Sequence, residues 1–144
     1  MPFLVALCLF AAAQPVIAAP IQSRPEPPTA TLILFRDIAE PLFFKPEVTI
    51  DGQSVGRLGH HRWIALRLSP GPKLVETRWP RISMQAPAAT TIVLAPGEQR
   101  FLELRGTSAF GRQRTSVSDW IEHEPEAGAA AARACCKPVP SPKP

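Results

Sequence analysis

The chain has 144 residues, 45% of them hydrophobic, which gives it room for one domain with an apolar core. Its 16 basic and 12 acidic residues give a formal net charge of +4, without a run of Lys and Arg. A nucleic-acid partner is therefore not expected, because such proteins usually carry a clustered basic patch.

Residues 1–18 have the pattern of a secretory signal peptide. The apolar run at 3–13 is too short to span a bilayer, which takes about 20 residues. Small side chains at Val16 and Ala18 favour cleavage after Ala18, although a buried N-terminal helix is the alternative. We expect a periplasmic or secreted protein with no transmembrane segment after cleavage. Cys8 lies inside the apolar run, so lipid anchoring is not supported.

Two Pro-rich segments flank the expected domain. Residues 19–29 form a leader and residues 137–144 form a tail, and neither has the apolar content to build a core. The domain therefore spans residues 30–136.

The domain is divided by turns into about eight short runs typical of strands. Several of these runs alternate apolar and polar residues. Ile64, Leu66 and Leu68 therefore share one face of their strand, as do Val75, Thr77 and Trp79 of theirs. We predict a mainly β fold, an antiparallel β-sandwich of about seven to eight short strands with one short C-terminal helix. The predicted strands are residues 31–37, 47–51, 54–58, 61–68, 73–79, 90–94, 100–105 and 114–121.

Asp51-Gly52 lies between two of these runs and predicts a two-residue hairpin turn, in which both residues adopt positive φ. Ile50 and Gln53 would then face each other. Gly56 indicates a bulge or a close backbone approach. A catalytic role for Asp51 is disfavoured, because no acid or base partner stands at a suitable spacing.

Pro70-Gly71 and Pro96-Gly97 predict two further hairpin turns, with Pro at the first central position and Gly at the second. If the first closes a four-residue loop, Trp63 faces Arg78 and Arg67 lies on the same face. These three residues would form a possible platform for an anionic or sugar ligand, with a cation–π contact. A solvated sheet face is the plainer interpretation, and we favour it.

We predict that residues 124–136 form the C-terminal helix. Pro125 suits a first helical turn, while Glu126 near the start and Arg133 near the end suit the helix dipole. Gly128 weakens the helix, and its alanines indicate close packing on the sandwich.

Cleavage would leave two cysteines, the adjacent Cys135 and Cys136. They are either two free thiols, a strained vicinal disulfide, or bonded to other chains. The only histidines are His60, His61 and His123, and with the cysteine pair they show no recognised ligand spacing. Solvated histidines are favoured over a zinc or copper site, and no metal or cofactor is expected.

Five stretches in fixed order carry a family resemblance: TATLILFR, PEVTIDGQSVGRL, WIALRLSPGPK, TTIVLAPGEQRFLELR and SVSDWIEHEPEAGAAAA. The series resembles a bacterial family of exported domains of unknown function, catalogued by number as twenty-eight forty-six, and more loosely the PEGA-like small β-sandwich modules. The resemblance covers residues 30–136. It implies a β-sandwich in the cell envelope and no catalytic residues. The cysteine pair departs from the family pattern.

The sequence shows no nucleophile–base pair, paired-carboxylate site or Cys-x-x-Cys motif, so we do not expect an enzyme. We expect an exported, non-catalytic cell-envelope domain that acts as an interaction or structural module. Its partner would be an envelope protein or a cell-wall polymer. The alternative is a ligand-binding sandwich for cell-wall polymer or carbohydrate.

The first prediction concerns cleavage of the signal peptide. We expect the mature protein to begin at Ala19, because the apolar run ends in the Val16 and Ala18 pair. Mass spectrometry of protein purified from the envelope fraction measures this directly, and an intact Met1 peptide in that fraction would contradict it.

Overall fold

The computed structural model describes residues 26–108 and 116–139, which form nine β-strands, one α-helix and one 3-10 turn. The expected signal peptide lies outside the described residues, as do most of the leader and the end of the tail. The strands are β1 (Ala30–Arg36), β2 (Glu47–Ile50), β3 (Gln53–Arg57), β4 (Arg62–Leu68), β5 (Gly71–Arg78), β6 (Ala89–Leu94), β7 (Gln99–Ser108), β8 (Ser116–His123) and β9 (Lys137–Pro138). The helix α1 is Pro125–Cys135, and the 3-10 turn is Arg81–Ser83.

The strands form two sheets. The large sheet has the order β8-β7-β1-β4-β9, and the small sheet has the order β3-β2-β5-β6. Neighbouring strands are antiparallel except for the β1–β7 and β4–β9 pairs. The predicted mainly β sandwich with one C-terminal helix is confirmed.

The ninth strand comes from the segment that the sequence analysis assigned to the tail. The Lys137 amide donates to the carbonyl of His61 at 3.1 Å, and the Val139 amide donates to the carbonyl of Trp63 at 2.9 Å. The backbone after α1 thus extends the large sheet beside β4, because β4 offers an open edge there.

The main core lies between the two sheets. Leu32, Leu34, Leu102 and Leu104 of the large sheet are fully buried there, and Val75 of the small sheet packs with them. The predicted inner faces of β4 and β5 are confirmed, since the apolar residues assigned to them pack in this core. The alternation of apolar and polar residues along these strands therefore predicted correctly which side chains face the core.

The turn at Asp51-Gly52 is the predicted hairpin. Asp51 has φ 50° and Gly52 has φ 80°, and Ile50 pairs with Gln53. The register shifts between Val48 and Thr49, opposite the predicted bulge.

The two Pro-Gly turns are not hairpins, and the prediction was wrong on this point. β4 lies in the large sheet and β5 in the small one, while β6 and β7 are separated in the same way. Each turn therefore carries the chain from one sheet to the other. Turn chemistry specifies a reversal of direction, but not whether the next strand pairs with the previous one.

Helix α1 covers the outer face of the large sheet. Ala132 packs with Phe35 and Phe101 in a second, smaller core on that side. A methyl group at Gly128 would lie 2.6 Å from Cγ of Phe101 and 3.1 Å from Cβ of His123. Gly128 thus allows the helix to approach the sheet, a role that the sequence analysis missed.

We predict that Gly128→Ala destabilises the protein although Ala is the better helix former. Overlap with Phe101 should cost about 1–3 kcal/mol of unfolding free energy, more than the roughly 1 kcal/mol gained from helix propensity. Urea unfolding measures the difference.

The exposed Ala130 provides the matched control. Ala130→Gly should lose only the propensity term of about 1 kcal/mol. A higher urea midpoint for Gly128→Ala than for the wild type would show that α1 does not pack closely on Phe101.

Candidate functional site

The two ends of the sandwich differ in their connections. Short turns join the strands at one end. At the other end the chain forms longer segments, residues 37–46, 58–61 and 79–88, and we call these segments, with the strand residues that border them, the loop end. Arg36 of β1 lies opposite Arg62 of β4, and Glu47 of β2 lies opposite Arg78 of β5. The three segments that adjoin these strand ends therefore lie at the same end of the sandwich.

Arg36 organises the loop end from inside. It is fully buried at the end of β1, and its Nη1 donates to the carbonyls of Phe44 at 2.7 Å and Leu58 at 3.3 Å. Its Nη2 donates to the carbonyls of Ala39 at 2.6 Å and Pro41 at 2.7 Å. One guanidinium therefore holds three carbonyls of the 37–46 loop and one of the β3–β4 connection.

The Arg36 charge is balanced by dipoles and an aromatic ring. Its guanidinium carbon lies 5.1 Å from the ring centroid of Trp79, a cation–π contact. Burial lowers the pKa of Arg36 to about 10, so the side chain is still a cation at neutral pH. The Trp79 indole donates to Ser118 Oγ at 3.1 Å, which joins the two sheets beside the loop.

A second set of contacts holds the 37–46 loop against the large sheet. The Glu40 amide donates to the carbonyl of Gly106 at 3.1 Å. Gln85 Nε2 donates to the carbonyls of Glu40 at 3.1 Å and Val117 at 3.4 Å. A side chain at Gly106 would collide with the Glu40 carbonyl, so this close approach requires glycine.

The fixed loop carries exposed apolar side chains. Phe43 is 94% exposed and Ile38 72%, and Leu42 between them is also exposed. Ile82 and Met84 on the 79–88 segment are exposed as well. The loop end therefore holds five of the eight large exposed apolar side chains in the described residues, which makes it a candidate interaction surface.

Cations surround a pocket next to this apolar surface. Leu42 lines it together with Lys45, Arg57, His60 and Arg62, and its volume is about 340 Å³. Burial lowers the pKa of His60, with a smaller contribution from the charge of His61. The positive charge of the pocket at neutral pH therefore comes from Lys and Arg.

A second, more polar pocket of about 450 Å³ lies at the C-terminal end of α1. Two histidine–carboxylate pairs line it: His61 Nδ1 lies 3.0 Å from Asp37 Oδ1, and His123 Nε2 lies 2.7 Å from Glu103 Oε2. Cys135 also lines this pocket and is joined to Cys136 in a vicinal disulfide, one of the three alternatives left open by the sequence. The Cys135 sulfur is bonded and therefore not available as a thiolate nucleophile.

The structure separates the predicted ligand platform. Trp63 and Arg67 share a face of β4 in the large sheet, whereas Arg78 ends β5 in the small sheet. The expected pairing of Trp63 with Arg78 is wrong, because it assumed a hairpin at Pro70-Gly71. Trp63 instead pairs with Phe35 and contributes to the core beneath α1.

Trp63 lines a groove of about 160 Å³ between α1 and the sheet. Phe101 and Ile33 form its apolar part, and Gln99 and Arg133 supply polar groups. Trp63, one member of the predicted platform, therefore lies in a groove that offers an aromatic surface and hydrogen-bond donors.

Within residues 26–108 and 116–139, no group of three or more His, Cys, Asp or Glu side chains is placed to hold a metal ion. No helix in the same ranges is long and apolar enough to cross a bilayer. Comparison with protein-family models, curated proteins and solved structures gives no match to this chain.

Sequence reasoning missed Arg36, although a signal was present. Leu32, Leu34 and Arg36 alternate along β1, so the strand pattern places the arginine on the buried face. An arginine on a buried strand face requires buried acceptors, and this requirement is the signal that the position carried.

We predict that Arg36→Met destabilises the protein and loosens the 37–46 loop. Removing the guanidinium leaves carbonyls without donors, each costing about 1–3 kcal/mol when buried. We expect a total loss of about 3 kcal/mol or more. Urea unfolding gives the stability, and hydrogen exchange of the Glu40 amide gives the order of the loop.

Arg36→Lys is the control, because it keeps the charge but lacks the planar fork that reaches several carbonyls. We expect its unfolding free energy to lie between those of the wild type and Arg36→Met. A wild-type urea midpoint for Arg36→Met would show that the guanidinium does not hold the loop.

Proposed function

We propose that this chain is an exported, non-catalytic cell-envelope module that binds a partner through its loop end. The single observation behind the proposal is the exposure of Phe43, Ile38 and Leu42 on a loop whose carbonyls accept hydrogen bonds from the buried Arg36. Large apolar side chains on a monomer's surface favour association with another surface. Because the loop is fixed, little conformational entropy is lost on binding.

The resemblance to the exported family of unknown function supports an envelope location for this module, as does the signal-like pattern of residues 1–18. β-Sandwiches commonly bind through loops gathered at one end, with the sheets as a rigid support. Periplasmic or secreted localisation follows from cleavage of the signal and is part of the proposal.

Binding of cell-wall polymer or carbohydrate is the second candidate. It is favoured by the groove between α1 and the large sheet, where Trp63 and Phe101 lie beside Gln99 and Arg133. Aromatic faces with a few polar donors suit sugar rings. This candidate uses a different surface from the loop end, so the two can be separated by mutation.

Photo-crosslinking in intact cells tests the proposal. We expect a benzoylphenylalanine at position 43 to form an adduct with protein, lipid or wall polymer, because Phe43 is at the exposed tip of the loop. The same probe at Val93, which is also exposed but lies on β6, provides the matched control and should give none.

Adducts of equal yield at positions 43 and 93 would contradict a role for the loop end. Sedimentation with purified sacculi distinguishes the second candidate. Trp63→Ala would then weaken binding to the sacculi, whereas Phe43→Ser would leave it unchanged.

A further inference from the structure

We propose that the loop end docks on an anionic membrane surface. Phe43 and its apolar neighbours would enter the boundary between headgroups and acyl chains, and the adjoining cations would contact lipid phosphates. The inference rests on the proposed function, since it names the partner class of the same surface.

The apolar part of this surface cannot be buried by closing the loop on the protein. Carbonyls of Ala39, Pro41 and Phe44 are directed inward to Arg36, so Phe43 and Ile38 are left on the outside. Apolar side chains held in water on a rigid support gain free energy from any apolar phase that they can enter.

The cationic part lies directly beside it. A Cβ placed on Gly59 would be 3.6 Å from carbons of Lys45 and 3.5 Å from Cγ of Arg62, so both stems pass over the same point. Arg57 lines the same pocket, and no carboxylate lines it. None of these three cations forms a salt bridge within the described residues.

The remaining charges of the loop end also leave an excess of cations. Its carboxylates are Asp37, Glu40 and Glu47, and Asp37 is paired with His61 toward the polar pocket. Arg81 adds a further exposed cation on the neighbouring segment. An anionic surface is therefore attracted to this end of the molecule.

The juxtaposition favours a membrane over a small anion. Leu42 is exposed on the loop and also lines the cationic pocket, so the apolar and cationic surfaces are continuous. A free phosphate would use the pocket and leave Phe43 in water. At a bilayer interface, apolar side chains enter the acyl boundary while Lys and Arg reach phosphates above it.

Vesicle flotation tests the inference. The full mature chain is mixed with phosphatidylcholine vesicles that either contain or lack phosphatidylglycerol. We expect binding only when phosphatidylglycerol is present, and we expect added salt to weaken it, because exposed charges are screened. Each Lys or Arg near an anionic surface is worth about fivefold in affinity.

Variants locate the binding surface. The triple variant Lys45→Gln, Arg57→Gln, Arg62→Gln should bind about a hundredfold more weakly, as the product of three such factors. Phe43→Ser should also weaken binding, by about tenfold or more. Val93→Ser and Arg67→Gln are controls, because both alter exposed strand residues away from the loop end and should bind as the wild type. Urea midpoints confirm that all variants are folded.

Three outcomes would overturn the inference. One is failure of the wild type to float with phosphatidylglycerol vesicles. Another is equal binding by Phe43→Ser and Val93→Ser. The third is saturable binding of glycerol 3-phosphate that is insensitive to Phe43→Ser, which would indicate a free-anion site. A protein adduct at position 43 without vesicle binding would overturn this inference and leave the proposed function standing.

Discussion

The structure depends on one buried cation that is satisfied by backbone carbonyls. Arg36 ends a strand whose alternate side chains fill the core, so its guanidinium enters the interior at the edge of the sandwich. Burying a charge is costly unless hydrogen bonds replace its hydration. The 37–46 loop supplies three carbonyl acceptors to Nη1 and Nη2 and Leu58 supplies a fourth, whereas Nε has no partner. The same contacts leave the apolar side chains of the loop on the surface. The hydrogen bonds of Arg36 thus both stabilise the buried charge and keep the apolar side chains of the loop exposed.

Both faces of the large sheet take part in packing, and Ala65 and Arg67 on the outer face of β4 remain exposed. The inner face of this sheet packs on the small sheet, and its outer face packs on α1 through Phe35 and Phe101. Gly128 permits that second contact. The helix brings the cysteine pair and β9 to the loop end, so the two pockets and the apolar loop occupy neighbouring surfaces.

Local patterns predicted the strands well and the connections between them poorly. The turn at Asp51-Gly52 was predictable because a two-residue turn with positive φ joins two strands that pair with each other. Pro70-Gly71 was not, because its reversal fits both a hairpin and a crossing between sheets. The predicted ligand platform depended on that choice, and only the Trp63 and Arg67 part of it shares a face.

Sequence patterns alone predicted the class of fold, most of the core-facing residues, the first hairpin and the C-terminal helix. These features follow from periodicity and turn chemistry, which act between residues close in the chain. The sheet order, the role of Gly128 and the hydrogen bonds between Arg36 and the 37–46 loop became apparent from the packing of the folded chain. Those depend on groups distant in sequence, whose contacts exist only once both sheets are packed and water is excluded from between them.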